Sequence, residues 1–289
     1  MFNTIIINPI LNALVALYKL FLTLGVPGAF GFAIITLTIL FRFALHPFFK
    51  QQLESQQKLN ALKPKMSELQ AKHKDDKTRL QQAQMDLYKE HGINPASGCL
   101  FAIVQIPIFI GLYQTLSSFV NAASSTAAIQ AINKVLYTPI IAITKIDPNF
   151  FFFNLAISPE KYSIFSFSLK QGITLHPENF AYAYYLLVPL VTGFLQYLQA
   201  QKTLAIQPSP SKDIVETKDG KKKDPGFAGD FQSAMNTQMK YFFPVMIAIF
   251  SYQLPVGLSL YWNIFSIFSI IQSVRQAQST KSLIPNTKT

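Results

Sequence analysis

Leu254-Pro255-Val256-Gly257 interrupts an apolar block that runs from Met235 to Val274. The block is about 40 residues long, too long for one membrane span at about 1.5 Å rise per residue and long enough for two. Helix-breaking residues at its midpoint turn it into a tight hairpin of two spans, 235–254 and 256–275. A bilayer, rather than a soluble core, is the solvent this sequence is written for.

The rest of the chain agrees. Of 289 residues, 50% are apolar and only 13% charged, against about 25% charged in ordinary soluble domains. Further apolar runs extend from Gly28 to Phe49, Ala96 to Phe119 and Phe180 to Leu204. A soluble α/β enzyme, with shorter apolar blocks and charged helix faces, is excluded. The reading is an all-α integral membrane protein, divided as residues 1–27, first span 28–49, polar hairpin 50–92, second span 93–120, long connection 121–179, third span 180–204, polar linker 205–234, hairpin of spans four and five 235–275, and tail 276–289.

Residues 8–21 are a shorter case. Ile10, Leu11, Leu14, Leu17 and Phe21 share one helical stripe, with Asn12 and Lys19 off it. Fourteen residues do not cross a bilayer at ordinary tilt, so an interfacial helix lying flat is expected, with a sixth span or an uncleaved anchor as the competing arrangements.

Net charge is +11. Nine Lys and Arg lie in 50–92, six in 201–232 and three from Arg275 onward, against four in 120–179 and one before the first span. By the positive-inside rule the hairpin, linker and C-terminus face the cytoplasm and the N-terminus faces out. Topology thus accounts for the basic charge, and no aromatic-basic interleaving supports a nucleic-acid site. A lone cysteine, Cys99, excludes an internal disulfide, and His46, His73, His91 and His176 show no ligand spacing, so no metal centre is expected.

Within 50–92, Leu59, Leu62, Met66 and Leu69 form one narrow apolar seam, and Leu80 and Leu87 lie on a second after the polar break 73–77. The spacing predicts an antiparallel helical hairpin standing on the cytoplasmic side. Pro64 fits either a restarted helix or a kink. So regular a seam favours a docking surface over a solvated connector.

Arg42 sits inside the first span, about 21 Å along it from Gly28 by helical rise. An arginine near the bilayer centre costs at least about 2.5 kcal/mol. No Asp or Glu occurs in any of the five spans, so the guanidinium must snorkel to the headgroups or reach a wet cavity. Thr38, Gln105, Gln196, Trp262 and Asn263 are further polar or amphipathic groups at membrane depth, and their number favours one positively charged hydrophilic groove. Such a groove is a poor proton relay or cation path, and suits a polar or negative peptide segment.

Asn94-Pro95-Ala96-Ser97-Gly98-Cys99-Leu100, then Gln105-Ile106-Pro107-Ile108-Phe109-Ile110-Gly111-Leu112-Tyr113, resembles the signature of YidC-type membrane protein insertases. Leu254 to Trp262, Tyr184 to Pro189, and Thr38 to Arg42 with Pro47, Lys50 and Gln51 resemble that family's other core segments, over about residues 8–120 and 180–275. The resemblance implies five spans around a hydrophilic groove, without the large external domain of some relatives. Arg42 would be its central charge, lined by Thr38, Gln105, Gln196, Trp262 and Asn263. Ile106, Phe109 and Tyr261 would flank the exit path of the client, between spans one and five. It also implies nascent membrane protein clients, the ribosome and the Sec translocon as partners, and a multi-pass place in the cell membrane. Catalytic residues, cofactors and nucleotide hydrolysis are not implied. The competing functions are a small-solute transporter or channel, for which no internal repeat appears, and a structural assembly factor for membrane complexes. No role for Phe150 to Phe153 is derived from their spacing; anchoring at the membrane interface is the use their rings suit.

Overall fold

The structure, a computed structural model, describes residues 1–73, 76–92, 97–162, 165–168, 172–204 and 238–283. The linker expected at 205–234, the Asn94-Pro95-Ala96 part of the second-span signature and the end of the tail lie outside the described residues. The chain forms two compact units: Met1–Leu45, Ile103–Gln196 and Pro244–Ser269 make the first, and His46–Ala102, Tyr197–Phe243 and Ile270–Thr289 the second. Long apolar helices dominate, giving an all-α membrane architecture with two short β-hairpins in the 121–179 connection.

In the first unit α1 (Asn8–Thr23) is led in by a π-helical turn, Asn3–Ile7. The combined run of 21 residues is long and apolar enough to cross a membrane. It outreaches the fourteen residues expected because Ile5, Ile6 and Ile7 extend the apolar stretch toward the N-terminus. Gly25 and Gly28 take positive φ in the following turn, a conformation open to glycine at little cost. Next comes α2 (Ala29–Ala44), 16 residues. It is shorter than the 22-residue span expected, breaking at Leu45, since Pro47 has no N–H to donate to the Phe43 carbonyl four residues back and its ring crowds that carbonyl. The 28-residue α6 (Ser97–Ser124) carries Pro107 internally. Its Gly111 lies against Ile6 and Ile10, and Phe119 meets Tyr18 edge-on, so α1 and α6 run side by side in the same direction.

α7 (Thr126–Lys134) opens the connection, followed by β1 (Asn149–Phe150) and β2 (Phe153–Asn154), an antiparallel pair, and β3 (Phe165–Ser168) and β4 (Gly172–Leu175), another. Polar side chains of α1 clamp this segment. Asn12 Nδ2 donates to Val135 O and its Oδ1 accepts from Tyr137 N; Tyr18 Oη accepts from Asp147 N; Lys19 Nζ donates to Ala142 O. A 3-10 run, Pro177–Leu186, leads into α8 (Leu187–Leu204). Finally α9 (Phe243–Gln253), preceded by a π turn Gln238–Phe242, and α10 (Val256–Leu283) flank the Leu254-Pro255 break. Val256 N donates to Ile157 O and Gly257 N to Leu155 O, so the connection satisfies donors that the start of α10 cannot pair within itself.

Phe150 to Phe153 acquires a role here. Phe150 and Phe153 are the paired residues of the β1–β2 hairpin, and Phe151 and Phe152 form its two-residue tip. Phe150 lies so tightly on Gly28 and Gly31 that a Cβ on Gly31 would come within 2.1 Å of its ring. Phe153 packs edge-on against Tyr184 and Tyr185. The tip residues project outward, with Phe151 at φ 53°.

The second unit contains α3 (His46–Ala61), α4 (Lys63–Lys72) and α5 (Lys77–Glu90). Pro64 falls in the first turn of α4, so the helix restarts after Leu62. Leu62 and Leu87 are buried together with Met66, Leu69 and Tyr88 packed on them, Leu80 is half-buried, and the Leu59 side chain lies outside the described set. Burial pushes the Tyr88 phenol up from its ordinary pKa. Asp76 caps α5 by accepting from Arg79 N at 3.0 Å.

Four described helical runs are long and apolar enough to cross a membrane: Asn3–Thr23, Ile106–Ser124, Glu178–Lys202 and Val256–Arg275. Ala29–Ala44 is apolar but shorter.

Candidate functional site

The apolar face of α2 is interrupted near its end by Thr38 and Arg42, one helical turn apart. Both are buried, at 2% and 6% exposure. Thr38 is satisfied within its own helix, its Oγ1 donating to Ile34 O at 2.7 Å. Arg42 reaches across to α10. Its Nη2 donates to Phe265 O at 2.8 Å and to Ser269 Oγ, and its guanidinium lies over the Phe265 ring, 3.9 Å from the centroid. Ser269 Oγ in turn donates to Phe265 O at 3.0 Å. A carbonyl, a hydroxyl and an aromatic face thus accept the cation, each neutral.

Around this centre α10 presents Tyr261 and Trp262, both buried. Trp262 stacks on Phe109 of α6 with centroids 5.3 Å apart, and Tyr261 lies tilted against Phe265. Asn263 is half-buried and Gln196 of α8 is buried. Ile106 is 56% exposed at the surface of α6. The Gln105 side chain lies outside the described residues. The geometry therefore brings Arg42 together with the aromatic face of α10 and joins Trp262 to Phe109, while Thr38 has already spent its hydroxyl on its own backbone.

Sequence reasoning missed Phe265 and Ser269, and with them a polar stripe. Ser259, Asn263, Ser266, Ser269 and Ser273 follow one another at spacings of three and four along α10, and Ser259 and Ser266 are fully buried. That helical period was the available signal. At the N-terminal end of the stripe, Ser251 Oγ hydrogen-bonds to Ser259 Oγ at 2.7 Å and to Thr192 Oγ1 at 3.2 Å, tying α8, α9 and α10 through hydroxyls. Further along, Asn263 Oδ1, Ser266 Oγ and Thr115 Oγ1 of α6 are buried with no hydrogen bond among the described residues. Buried acceptors of this kind suit water or an incoming polar group. No cluster of three or more His, Cys, Asp or Glu that could hold a metal occurs among the described residues.

The profile of the family described as "60Kd inner membrane protein" matches residues 21–282. Among curated relatives, "Membrane protein insertase YidC" of Pseudoalteromonas atlantica is 30% identical over 85% of this chain and 33% of its own length. "Inner membrane ALBINO3-like protein 2, chloroplastic" of Chlamydomonas reinhardtii is 32% identical over 90% of this chain and 52% of its own. "Inner membrane protein ALBINO3, chloroplastic" of Arabidopsis thaliana is 31% identical over 86% and 46%. The chain spans between a third and about half of these relatives' lengths.

Proposed function

Because this chain belongs to the 60Kd inner membrane protein family, the family of the YidC-type insertases, we propose that it inserts client proteins into the cell membrane. The client's hydrophilic segment enters a groove centred on Arg42 and lined by Thr38, Gln105, Gln196, Trp262 and Asn263. There the positive charge and buried acceptors reduce the desolvation cost of carrying polar atoms into the bilayer. The apolar segment leaves between α2 and α10, past Ile106, Phe109 and Tyr261. Transfer into lipid supplies the drive, at about 25 cal/mol per Å² of apolar area, so this step uses no nucleotide.

The spans of this reading are α2, α6, α8, α9 with its leading turn, and α10, with the turn at residues 24–28 outside and the C-terminus in the cytoplasm. Helix α1 belongs to the outer leaflet. Its clamp on residues 135–147 and its packing along α6 support an inclined helix rather than one flat on the surface. The α4–α5 hairpin faces the cytoplasm as a docking surface for the ribosome or the Sec translocon.

One observation supports the proposal: the buried guanidinium of an apolar helix meets Phe265 O, Ser269 Oγ and the Phe265 ring. A carboxylate forms hydrogen bonds to arginine roughly twice as strong as neutral ones, so an acidic client segment competes well for it. Insertion into vesicles tests this with clients differing only in tail charge. Arg42→Ala and Arg42→Glu lower insertion of acidic-tailed clients by about tenfold, which corresponds to about 1.4 kcal/mol. Wild-type insertion of those clients by both variants removes the electrostatic step.

A further inference from the structure

The β1–β2 hairpin carries two pairs of rings, and packing within the unit uses one of them. Phe150 and Phe153 face protein, against Gly31 and against Tyr184 and Tyr185. Phe151 and Phe152 at the tip stay 75% and 82% exposed. We infer that this tip is a lipid-binding wedge: the two rings sit at the outer boundary of the bilayer, among ester carbonyls and the first carbons of the acyl chains, and fix the depth of the 121–179 connection. The wedge involves neither client nor groove. It takes from the insertase reading only that α8 crosses the membrane with its start on the outside.

Neighbouring residues place the tip. Tyr184 Oη donates to Phe152 O at 3.1 Å, which holds the tip at the entry to α8. From there Leu187, Leu190, Val191 and Phe194 follow on one helical stripe, and all four are exposed. They belong to the run Glu178–Lys202, long and apolar enough to cross a membrane, and acyl chains are the natural cover for such a stripe. The tip therefore stands at the head of a face that lipid covers. On the other side the Phe151 ring lies 6.4 Å from that of Phe32, in the first turn of α2. Through its packed rings the hairpin touches the starts of both helices, so a tip held at the interface sets both at one depth.

Water is a poor solvent for this turn. A two-residue hairpin turn with positive φ at its first position ordinarily takes glycine there. Here Phe151 adopts φ 53°, a strained backbone for a bulky side chain, and both tip rings are turned away from the protein. In an aqueous loop the strain and the exposed rings both oppose the arrangement. At a membrane boundary, transfer of the rings out of water offsets the strain. Residues 148–159 contain no Asp, Glu, Lys or Arg, so no charge is drawn into the interface with them. The same lack of charge selects the uncharged part of the lipid over an anionic headgroup.

A reporter on the tip of the full chain, in phosphatidylcholine proteoliposomes, tests the wedge. In a Cys99→Ser background, Phe152→Cys is labelled with an environment-sensitive nitrobenzoxadiazole dye, and Glu160→Cys, exposed in the same connection, is the control. The label at 152 emits to the blue of the label at 160. Spin-labelled lipids lower its intensity, more with the spin label near the ester carbonyl than at the chain end. Phe151→Cys carries the same measurement if Phe152→Cys fails to accumulate. Equal emission at the two sites without lipid quenching overturns the inference. A blue-shifted label that neither lipid quenches puts protein over the tip and overturns it as well. In intact cells Glu160→Cys reacts with a membrane-impermeant maleimide; reaction only after the cells are opened reverses the proposed topology and moves the wedge to the opposite leaflet. Lipid quenching at 152 in a protein that inserts no clients keeps the wedge and removes the insertase reading, and insertion without quenching does the reverse.

Discussion

The two ends of α2 are held by opposite chemistry. At its first turn, Phe150 sits on Gly28 and Gly31 with no room for a further methyl, and Phe32 stacks edge-on against that ring. At its last turn, Arg42 is held by one carbonyl, one hydroxyl and one ring face. The first grip is apolar packing at close approach, and nothing passing through can replace it. The second is polar and open to substitution by any stronger acceptor. A helix packed closely at one end and held by polar contacts at the other resists displacement unequally along its length.

The contrast is broken most severely from the packed end. Gly31→Leu forces side-chain atoms into the Phe150 ring and costs about 3 kcal/mol or more, read as a collapse of the thermal midpoint in detergent or of accumulation in membranes. Adding Phe150→Ala recovers at least half of that loss, and a double variant no better than the single one shows that the contact is not what holds this end. Tyr18→Phe comes next. It leaves Asp147 N without its acceptor and costs about 1–2 kcal/mol, with faster amide exchange across residues 145–147 as the local readout. Ser251→Ala removes hydroxyl bonds to Thr192 and Ser259, each worth about 0.6 kcal/mol inside a membrane, and a small drop in thermal midpoint checks it. The smallest stability effect belongs to the polar end. Arg42→Gln is close to neutral for folding because it removes a buried charge along with its bonds. A large loss of stability there makes the arginine a structural brace and erases the difference between the two ends.

Much of this was legible in the residues, and the gaps have physical causes. Leu254-Pro255 marked a helix break because proline and glycine leave few alternatives, and the structure breaks there. Arg42 stood out because a charge in an apolar run has nowhere cheap to go. Its partners did not, since a carboxylate is visible in a sequence as an ion partner, whereas the structure supplies a backbone carbonyl, which every residue has. The hydroxyl stripe of α10 was present at helical spacing, but serine is common and small, and each one alone reads as filler. Phe150 to Phe153 was opaque for a different reason. Its alternation of packed and projecting rings depends on a turn at Phe151 with positive φ, a conformation that phenylalanine rarely adopts and no local signal announces. The end of α2 moved because Pro47 acts on the residues before it, so an apolar composition reaching Phe49 overstated the helix.

The carbonyls of Leu155 and Ile157 receive the first amides of α10. During synthesis the segment bearing those carbonyls leaves the ribosome long before the helix that needs them. It has to fold and wait, a prepared template for a helix that follows much later in the chain. A protein of this family therefore meets, in its own biogenesis, the same problem it is proposed to solve for others.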